Sequence, residues 1–222
     1  MTLKRGLLVI FEGIDGSGKT TQTRLLFEHL KKRGFDVILS KEPTDSKYGK
    51  KIQKLAQSER VSVKPMDEYY LFINDRRVHV KNLIKPALKQ KKIVILDRYY
   101  LSTIAYQGAL GLDPEKIKAE NELFAPIPDI VFLFNIPPRV GLRRIQKGRN
   151  ETPDLFEQEE YLTRVNQVFG SLKDNYIVPV NGVEKIEDIH NTIVKVIDDI
   201  VGHYLMTAEQ YTHFDNRAIP LI

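Results

Sequence analysis

The feature that most constrains this chain is a glycine-rich segment near its start, one residue after the apolar run Gly6–Phe11. This segment fits the pattern G-x-x-x-x-G-K-[ST] and reads Gly13-Ile14-Asp15-Gly16-Ser17-Gly18-Lys19-Thr20. Glycines allow consecutive backbone N–H groups to turn inward around a phosphate, and the helix that follows contributes its positive N-terminal end. We therefore predict a strand, a phosphate-binding loop and a helix, with all eight residues of the segment binding the nucleotide.

Two residues at the end of the loop carry side chains suited to further contacts. We expect the Lys19 ammonium to reach the terminal phosphates of a nucleotide, and the Thr20 hydroxyl to bind Mg²⁺. Loops of this kind occur in ATPases, GTPases, helicases and small-molecule kinases. The loop therefore predicts nucleotide binding without naming a reaction.

Four further apolar runs of strand length follow the first one and are rich in β-branched residues. They cover Asp36–Leu39, Lys92–Leu96, Asp129–Asn135 and Tyr176–Val180. Their continuous apolarity is typical of strands that are buried on both faces of a parallel sheet. The longer segments with helical spacing between and after them are Thr20–Arg33, Met66–Lys85, Phe156–Leu172 and Val183–Tyr204. The alternation predicts an α/β fold, a doubly wound five-stranded parallel sheet flanked by helices.

Glycine and proline mark the expected ends of two helices. Gly34 follows the first helix and favours its termination. Pro86 lacks a backbone N–H, so we expect the second helix to kink or end near Lys85. We expect one domain over residues 1–205 and an irregular tail over residues 206–222.

Composition excludes several classes of site. None of the 222 residues is cysteine, which excludes a disulfide scaffold, a cysteine-bound zinc or iron–sulfur site and a thiol nucleophile. The net charge of +5 comes from scattered residues and suits an anionic small substrate, so we expect no nucleic-acid partner. The apolar run Leu7–Phe11 is too short for a signal-peptide core or a membrane span. We expect a soluble, cytoplasmic protein with no membrane partner.

A second candidate site follows the apolar run that ends at Leu96. The next residues are Asp97, Arg98 and Tyr99. A carboxylate at the carboxyl end of a parallel strand lies at the sheet edge where ligands bind in such folds. We therefore predict that Asp97 holds or orients the Mg²⁺ shell, and that Arg98 binds an anionic acceptor.

The phosphate loop and the residues after Leu96 belong to a larger set of motifs. The first is Phe11-Glu12-Gly13-Ile14-Asp15-Gly16-Ser17-Gly18-Lys19-Thr20-Thr21-Gln22. Others are Leu71-Phe72-Ile73-Asn74-Asp75-Arg76, His79, and Asp97-Arg98-Tyr99 followed by Ser102, Thr103 and Ala105-Tyr106-Gln107-Gly108. Further segments are Glu42-Pro43-Thr44-Asp45-Ser46, Tyr48-Gly49 and Pro137-Pro138. Together these motifs resemble the thymidylate (dTMP) kinase family, over about residues 5 to 200. The resemblance implies a sheet of the P-loop kinase type.

The resemblance also implies roles at a substrate site. Phe72 and Arg76 are four residues apart, so they share one face of a helix. In the family, the matching aromatic ring stacks on thymine and the matching arginine binds a base carbonyl. Asp15 matches the carboxylate that meets the sugar and phosphate region of the acceptor, and Arg98 matches the residue that binds the acceptor phosphate. The match at Pro43 implies that it shapes the acceptor pocket.

Three residues of one helical turn complete the expected substrate site. Thr103, Tyr106 and Gln107 have the spacing i, i+3 and i+4, so they can line one wall. The family tyrosine that matches Tyr106 guards the 2′ side of the sugar, which favours deoxyribose. This match implies a deoxynucleotide acceptor.

The remaining positive charge is expected from a lid over residues 142–157. Some family members carry an arginine in the phosphate loop, but this chain has Gly16 and Ser17 there. The basic residues before the acidic stretch 151–157 resemble the arginine-bearing lid of the other members. We predict Arg149 as the catalytic lid arginine and Arg144, the second choice, as a contact to the nucleotide.

Three positions depart from the family pattern. Leu155 stands where the family lid usually has arginine, and Asn135 stands where an aspartate is common. Asn74 stands where a small apolar residue is usual. These departures leave the phosphate sites intact and bear on lid chemistry and, to a lesser degree, on base selectivity.

Together, the residues and the resemblance predict transfer of the γ-phosphoryl group from ATP to dTMP, with Mg²⁺ as a cofactor. The resemblance further implies a homodimer. Two alternatives stay open at this point. One is a kinase for another pyrimidine monophosphate or a deoxynucleoside, and the other is a nucleotide-binding regulatory protein without catalysis.

Overall fold

The computed structural model describes residues 1–57, 63–146 and 155–205, without the side chains of residues 57 and 155–157. In these ranges five parallel strands form one sheet in the order β2-β3-β1-β4-β5. The strands are β1 (Leu7–Gly13), β2 (Val37–Lys41), β3 (Ile93–Asp97), β4 (Ile130–Asn135) and β5 (Ile177–Asn181). The predicted fold class is confirmed. The predicted tail, residues 206–222, lies outside the described residues.

The described helices connect the strands and lie on both faces of the sheet. They are α1 (Lys19–Lys32), α2 (Lys47–Gln57), α3 (Pro65–His79), α4 (Lys85–Lys89), α5 (Tyr100–Gly108), α6 (Pro114–Glu122), α7 (Pro138–Gln146), α8 (Leu155–Ser171) and α9 (Ile186–Tyr204). Within the part of the chain that the structure describes, no helix is both long and apolar enough to span a bilayer.

Strand β1 is buried along its whole length because helices cover both faces of the sheet. On one face, Val9 and Phe11 pack with side chains of α1 and α9. On the other face, Leu8 and Ile10 pack with side chains of α3, α5 and α8. Successive residues of a strand point to opposite faces, so a strand covered on both sides needs an unbroken apolar sequence.

The order of the strands determines where the site forms. The chain passes from β1 outward to β2, returns to β3 beside β1, and then crosses to β4 on the other side. Open parallel sheets bind ligands beyond the carboxyl ends of the strands at such a reversal. The register pairs Phe11 with Asp97 and Gly13 with Phe134, which brings the glycine-rich segment and Asp97 to one edge.

The helical stretch around Pro86 continues beyond Lys85. Helix α3 passes into a π-helical turn over Val80–Ile84, and α4 follows directly to Lys89. The Lys85 N–H donates to the Val80 carbonyl oxygen, five residues earlier. Proline supplies no N–H and crowds the carbonyl four residues before it, and a wider turn accommodates both effects. The sequence predicts a kink or an end near Lys85; the helix does not end there, and the type of turn changes at that point.

The contact between α1 and α9 holds two histidines close together. The ring centroids of His29 and His190 are 6.1 Å apart, and the rings meet edge to face. Burial, and then the neighbouring His29, lower the pKa of His190. An unfolded histidine titrates near about pH 6.5, so the unfolded chain binds more protons than the folded one just below that value. The free energy of unfolding therefore falls as the pH drops through this region.

We expect the substitution His190→Gln to reduce this loss of stability at acid pH, because glutamine has no titrating ring. Urea denaturation at several values between about pH 7.5 and about pH 5 measures the effect. His203→Gln is the control, since His203 is exposed near the end of α9 and no neighbouring histidine ring contacts it among the described residues. Equal pH dependence of wild type and His190→Gln would contradict the expectation.

Candidate active site

The phosphate-binding loop lies at the carboxyl end of β1 and leads directly into α1. Gly16 and Gly18 have φ angles of 75° and 104°, in the left-handed region that favours glycine. The Lys19 ammonium lies back over the loop, where it donates to the Ile14 carbonyl oxygen at 2.7 Å and the Ser17 hydroxyl at 3.3 Å. The ammonium is therefore held at the point where the loop turns.

A cavity of about 560 Å³ lies against this loop, and we call it the loop cavity. Residues 15–22 form one wall. The rest of the lining is Lys41, Glu42, Asp97, Arg98, Phe134, Arg144, Gly182, Glu184, Ile186 and Ile189. Gly13 and Ile14, which the motif places at the nucleotide, do not line it. Ile14 is buried in the core, and Gly13 lies against the Phe134 carbonyl with no room for a side chain.

Lys19 is a buried cation at the floor of the loop cavity, with only 4% of its surface exposed. Burial, and then the positive charge of Arg98, lower the pKa of the Lys19 ammonium to about 7. The nearby carboxylates of Asp15 and Asp97 act in the opposite direction. A phosphate group in the cavity would also favour the charged ammonium, because an opposite charge at close range stabilises it.

Thr20 and Asp97 meet at the mouth of the loop cavity. The Thr20 hydroxyl donates to Asp97 Oδ2 at 2.5 Å, which joins the start of α1 to the end of β3. Hydroxyl and carboxylate oxygens fit Mg²⁺, which is commonly bound by one or two protein groups together with substrate phosphates. Among the described residues, no group of three or more His, Cys, Asp or Glu side chains is placed to hold a metal ion.

Arg98 lies in the turn between β3 and α5, where it joins several elements of the site. Its backbone φ is 74°, which a non-glycine residue rarely adopts. The guanidinium donates to the Gly13 carbonyl, the Ser102 hydroxyl and the Tyr106 hydroxyl, and it forms an ion pair with Asp15 at 2.7 Å. Burial lowers the pKa of Arg98, but the neighbouring Tyr106, Asp15 and Glu12 together raise it by more, so the guanidinium is charged.

A second cavity of about 220 Å³ adjoins the first, and we call it the helix cavity because helices form most of its lining. Asp15, Glu42 and Arg98 line both cavities. The remaining lining is Pro43, Ile52, Gln53, Ala56, Glu68, Phe72, Arg76, Tyr99, Ser102, Thr103, Tyr106, Gln107 and Tyr161. Every residue that the sequence predicts at the substrate is therefore found around one cavity.

Arg76 is almost fully buried, and most of its donors are already used within the protein. It forms an ion pair with Glu42 at 2.7 Å. Its guanidinium also donates to Asn121 Oδ1 at 2.7 Å and to the Thr103 hydroxyl at 2.9 Å. Phe72, four residues earlier on α3, is half-buried beside it at the same cavity. The predicted pair therefore shares a wall, with the arginine fixed in place by three neighbours.

Gln107 carries an unsatisfied polar atom at the helix cavity. Its amide nitrogen donates to Glu68 Oε2 at 3.1 Å, whereas its carbonyl oxygen is buried and has no hydrogen-bond partner among the described residues. A buried acceptor without a partner is unfavourable, so this oxygen favours a ligand with an N–H group. Tyr106, one residue earlier, contacts Arg98 through its ring, 5.2 Å from guanidinium carbon to ring centroid.

Several buried carboxylates near the site, together with their partners, have no role that is predicted from the sequence. Glu42 binds Arg76 and also lies 3.0 Å from His79 Nδ1, while His79 Nε2 lies 2.9 Å from the Ser40 hydroxyl. Asp75 accepts hydrogen bonds from the backbone and hydroxyl of Thr44. Glu42, His79 and Asp75 lie in segments that resemble the family. That resemblance is the only signal for them in the sequence.

The predicted lid, residues 142–157, is described over 142–146 and, for the backbone alone, over 155–157. Arg144, on α7, donates from Nη1 to the Gly16 carbonyl at 3.1 Å and to the Gly182 carbonyl at 3.0 Å. It therefore joins the phosphate loop to the turn after β5. Arg149 lies outside the described residues, as does the side chain of Leu155. Asn135, at the end of β4, is exposed.

The fold and these two cavities define a nucleotide-binding α/β protein with a phosphate-binding loop and a second pocket beside it. The family model described as thymidylate kinase matches residues 11–193. The chain is 45% identical to a thymidylate kinase of Desulfotalea psychrophila over 90% of this chain and 98% of the relative. It is 40% identical to a probable thymidylate kinase of Archaeoglobus fulgidus, over 88% and 97% respectively.

The similarity extends to a solved structure. The crystal structure of thymidylate kinase from Ehrlichia chaffeensis has a TM-score of 0.70 to this chain and is 30% identical, covering 86% of this chain and 98% of that one. The chain belongs to the thymidylate kinase family. The family predicted from the phosphate loop and the motif after β3 is therefore confirmed, and with it the assignment as a kinase.

Proposed function

We propose that this chain transfers the γ-phosphoryl group of ATP to dTMP, forming ADP and dTDP. A dTMP phosphate oxygen forms a bond to the γ-phosphorus, and the bond from that phosphorus to the β,γ-bridging oxygen breaks. The observation that carries the proposal is the pair of adjoining cavities that share Asp15 and Arg98. Phosphoryl transfer depends on placing two anionic groups in line, and two joined cavities with cationic walls suit that task.

On the donor side, ATP would occupy the loop cavity. The phosphate-binding loop and Lys19 surround the phosphates in this assignment, and Arg144 lies beside the loop. Thr20 and Asp97 would hold Mg²⁺, which when bound offsets negative charge on the phosphates. Arg144 is held by two carbonyl oxygens in the described structure, which supports a role in shaping this wall.

On the acceptor side, dTMP would occupy the helix cavity with its phosphate at Arg98. The guanidinium already pairs with Asp15, so the arginine is oriented before the substrate arrives. Asp15 faces the sugar and phosphate region in this assignment. No general base is required, because the attacking phosphate oxygen is already anionic near neutral pH. The catalytic work of Lys19, Arg98 and Asp15 is then to position and stabilise charge.

The base would lie between Phe72 and the wall formed by Thr103 and Gln107. Aromatic stacking supplies contact area, while polar partners select the base. The unpaired Gln107 oxygen suits the imide N–H of thymine, and cytosine has an acceptor at that ring position. Arg76 is held at the cavity wall for a base carbonyl. Tyr106 and Pro43 complete the pocket beside the sugar.

The rest of the assignment concerns organisation. We propose one kinase domain over residues 1–205 with a lid over residues 142–157, in which Arg149 approaches the transferring group. Closing such a lid excludes water and suppresses hydrolysis of ATP.

Replacing Arg149 by alanine should lower kcat with dTMP. An unchanged kcat would transfer this role to Arg144 or Arg143.

The substrate assignment is tested by an ADP-release assay with purified protein, ATP, Mg²⁺ and one acceptor at a time. We expect turnover with dTMP that exceeds turnover with dCMP, dAMP, dGMP or thymidine. Turnover with dAMP or dGMP but none with dTMP would overturn the assignment. Activity on thymidine alone would indicate a deoxynucleoside kinase, and binding of both ligands without product would indicate a regulatory protein.

Base selection offers a sharper test through Gln107. We expect Gln107→Leu to lower kcat/KM for dTMP by about 10-fold, because the imide N–H loses its acceptor. The kcat/KM for dCMP should change less, so the ratio of kcat/KM for dTMP to kcat/KM for dCMP becomes smaller. Gln53→Leu is the matched control, since Gln53 lines the same cavity and its amide donates weakly to the Thr44 carbonyl at 3.4 Å. An unchanged ratio in Gln107→Leu would contradict the role.

We also propose a homodimer that covers an apolar surface on α3 and the segment after α6. Met66 and Tyr70 are about half exposed, and Leu123 is 85% exposed. Arg77 of α3 lies over the Phe124 ring at 4.6 Å, which joins these elements into one surface. Light scattering should give twice the chain mass, and Leu123→Asp should lower it. A monomer at all concentrations would overturn the proposal.

A further inference from the structure

Glu12 is a fully buried carboxylate at the end of β1 for which the reaction described above gives no role. Its Oε1 atom accepts hydrogen bonds from the backbone N–H of Tyr99 at 2.8 Å and of Ser102 at 3.0 Å. Its Oε2 atom accepts from the Ser102 hydroxyl at 2.5 Å. These partners lie about 90 residues away in sequence, so the carboxylate joins β1 to the start of α5.

Glu12 accepts a hydrogen bond from the backbone N–H of Tyr99, the residue that follows Arg98. Arg98 adopts a φ of 74°, and the Tyr99 N–H is the next donor along the chain. Positive φ at a bulky residue is unfavourable and persists only when neighbouring contacts impose it. The Arg98 N–H donates to the Phe11 carbonyl at 3.0 Å, and Glu12 holds the following peptide. Two consecutive residues of β1 thus fix the peptides on both sides of Arg98.

The arginine side chain is connected to the same carboxylate through one hydroxyl. Ser102 donates its hydroxyl hydrogen to Glu12 and accepts a hydrogen bond from Arg98 Nη1 at 2.9 Å. Because the hydroxyl hydrogen is taken up by the carboxylate, the Ser102 oxygen presents its lone pairs to the guanidinium. Arg98 also donates to the Gly13 carbonyl, the residue next to Glu12, at 3.3 Å. Both the backbone and the side chain of Arg98 therefore depend on the end of β1.

We propose that Glu12 is a positioning residue that orients Arg98 toward the acceptor phosphate. The inference deepens the proposed function and rests on it for the identity of the acceptor. Glu12 does not line either cavity, and its effect on the acceptor passes through Arg98 and the backbone and hydroxyl of Ser102. Glutamine at this position replaces the Oε2 acceptor by an N–H donor, so the Ser102 hydroxyl loses its acceptor and the guanidinium loses a partner of fixed direction. A small displacement of a group that positions a substrate lowers the rate by up to about 10²-fold.

The first test measures binding, which does not depend on turnover. Calorimetry gives the dissociation constants of dTMP and of thymidine for the wild type and for Glu12→Gln. We expect the affinity for dTMP to fall by about 10-fold and the affinity for thymidine to stay within about 2-fold, because only dTMP carries the phosphate. Ser102→Ala, which leaves both backbone bonds of Glu12 in place, should lower the affinity for dTMP by a smaller factor.

The second test measures kinetics. Glu12→Gln should raise KM for dTMP and lower kcat, with KM for ATP unchanged. Asp129→Asn is the matched control, because Asp129 accepts a hydrogen bond from Leu8 N–H at 2.7 Å at the opposite end of β1. It should leave KM for dTMP unchanged.

The outcomes separate this inference from the proposed function. Equal losses for dTMP, thymidine and ATP in Glu12→Gln would show a general structural role and overturn the inference. So would unchanged dTMP affinity in both Glu12→Gln and Ser102→Ala. If Glu12→Gln does not fold, Ser102→Ala decides alone through the ratio of dTMP to thymidine affinity. Absence of dTMP turnover in the wild type would overturn the proposed function, whereas the affinity ratio would still report on the orientation of Arg98.

Discussion

The substitution Lys19→Met should lower kcat for transfer to dTMP by about 10³-fold, because an oriented cation at the transferring phosphate is lost. Methionine retains the apolar stem that lies buried in the loop, so the change removes mainly the charge. The ammonium holds the Ile14 carbonyl at 2.7 Å, which places it at the turn of the loop. ADP release with saturating ATP and dTMP measures kcat.

Lys32→Met is the control for this prediction. Lys32 is exposed at the last turn of the same helix, and its substitution removes an equal charge far from the loop cavity. We expect its kcat to match the wild type. A Lys19→Met enzyme that keeps a tenth or more of wild-type kcat would contradict the assignment of Lys19 to the phosphates.

We expect the second large effect from Arg98→Met, which should impair the binding and phosphorylation of the acceptor. We expect kcat/KM for dTMP to fall by about 10³-fold, because a charge-assisted contact to the phosphate and its alignment are both lost. KM for ATP should change little, since the donor is held chiefly by the phosphate-binding loop. Initial rates at varied dTMP and ATP separate the two parameters.

Arg164→Met is the matched control, because Arg164 is an exposed arginine paired with Glu160 on α8. We expect wild-type rates for it. Loss of ATP affinity in Arg98→Met, with dTMP parameters preserved, would place the arginine on the donor side and reverse the assignment. Arg98 pairs with Asp15, which lines both cavities, so its position alone does not assign it to the donor or the acceptor. The comparison of KM for ATP with KM for dTMP makes that assignment.

The phosphate-binding loop and the strands can be predicted from the sequence because each depends on a pattern of neighbouring residues. The phosphate-binding loop needs glycines at fixed positions because its backbone adopts left-handed angles, so the motif and the geometry correspond at Gly16 and Gly18. The strands are equally clear, because burial on both faces requires an unbroken apolar run. The sequence does not predict helices α2, α4, α6 and α7 individually, and it predicts α5 only as one turn that holds Thr103, Tyr106 and Gln107. For α6 a signal existed, since Asp113 caps its first turn and Pro114 follows.

The contacts around Arg76 could not be predicted in the same way. Of its partners, Glu42 precedes Arg76 by 34 residues in the sequence, and Asn121 follows it by 45 residues. Nothing in the local pattern of either partner indicates an arginine as its neighbour. The spacing of Phe72 and Arg76 predicts a shared helix face, but only the assembled fold shows that the guanidinium is held by three side chains.

The hydrogen bonds from Arg144 to Gly16 and Gly182 connect two segments that are far apart in the sequence, so one is synthesised long before the other. The phosphate-binding loop is complete within the first 20 residues, yet Gly182, Glu184, Ile186 and Ile189 supply another wall of the loop cavity. A nascent chain that has not yet exposed this segment therefore has the motif without the pocket. Because a ligand stabilises only the form that binds it, ATP would favour the finished chain over its unfinished precursors.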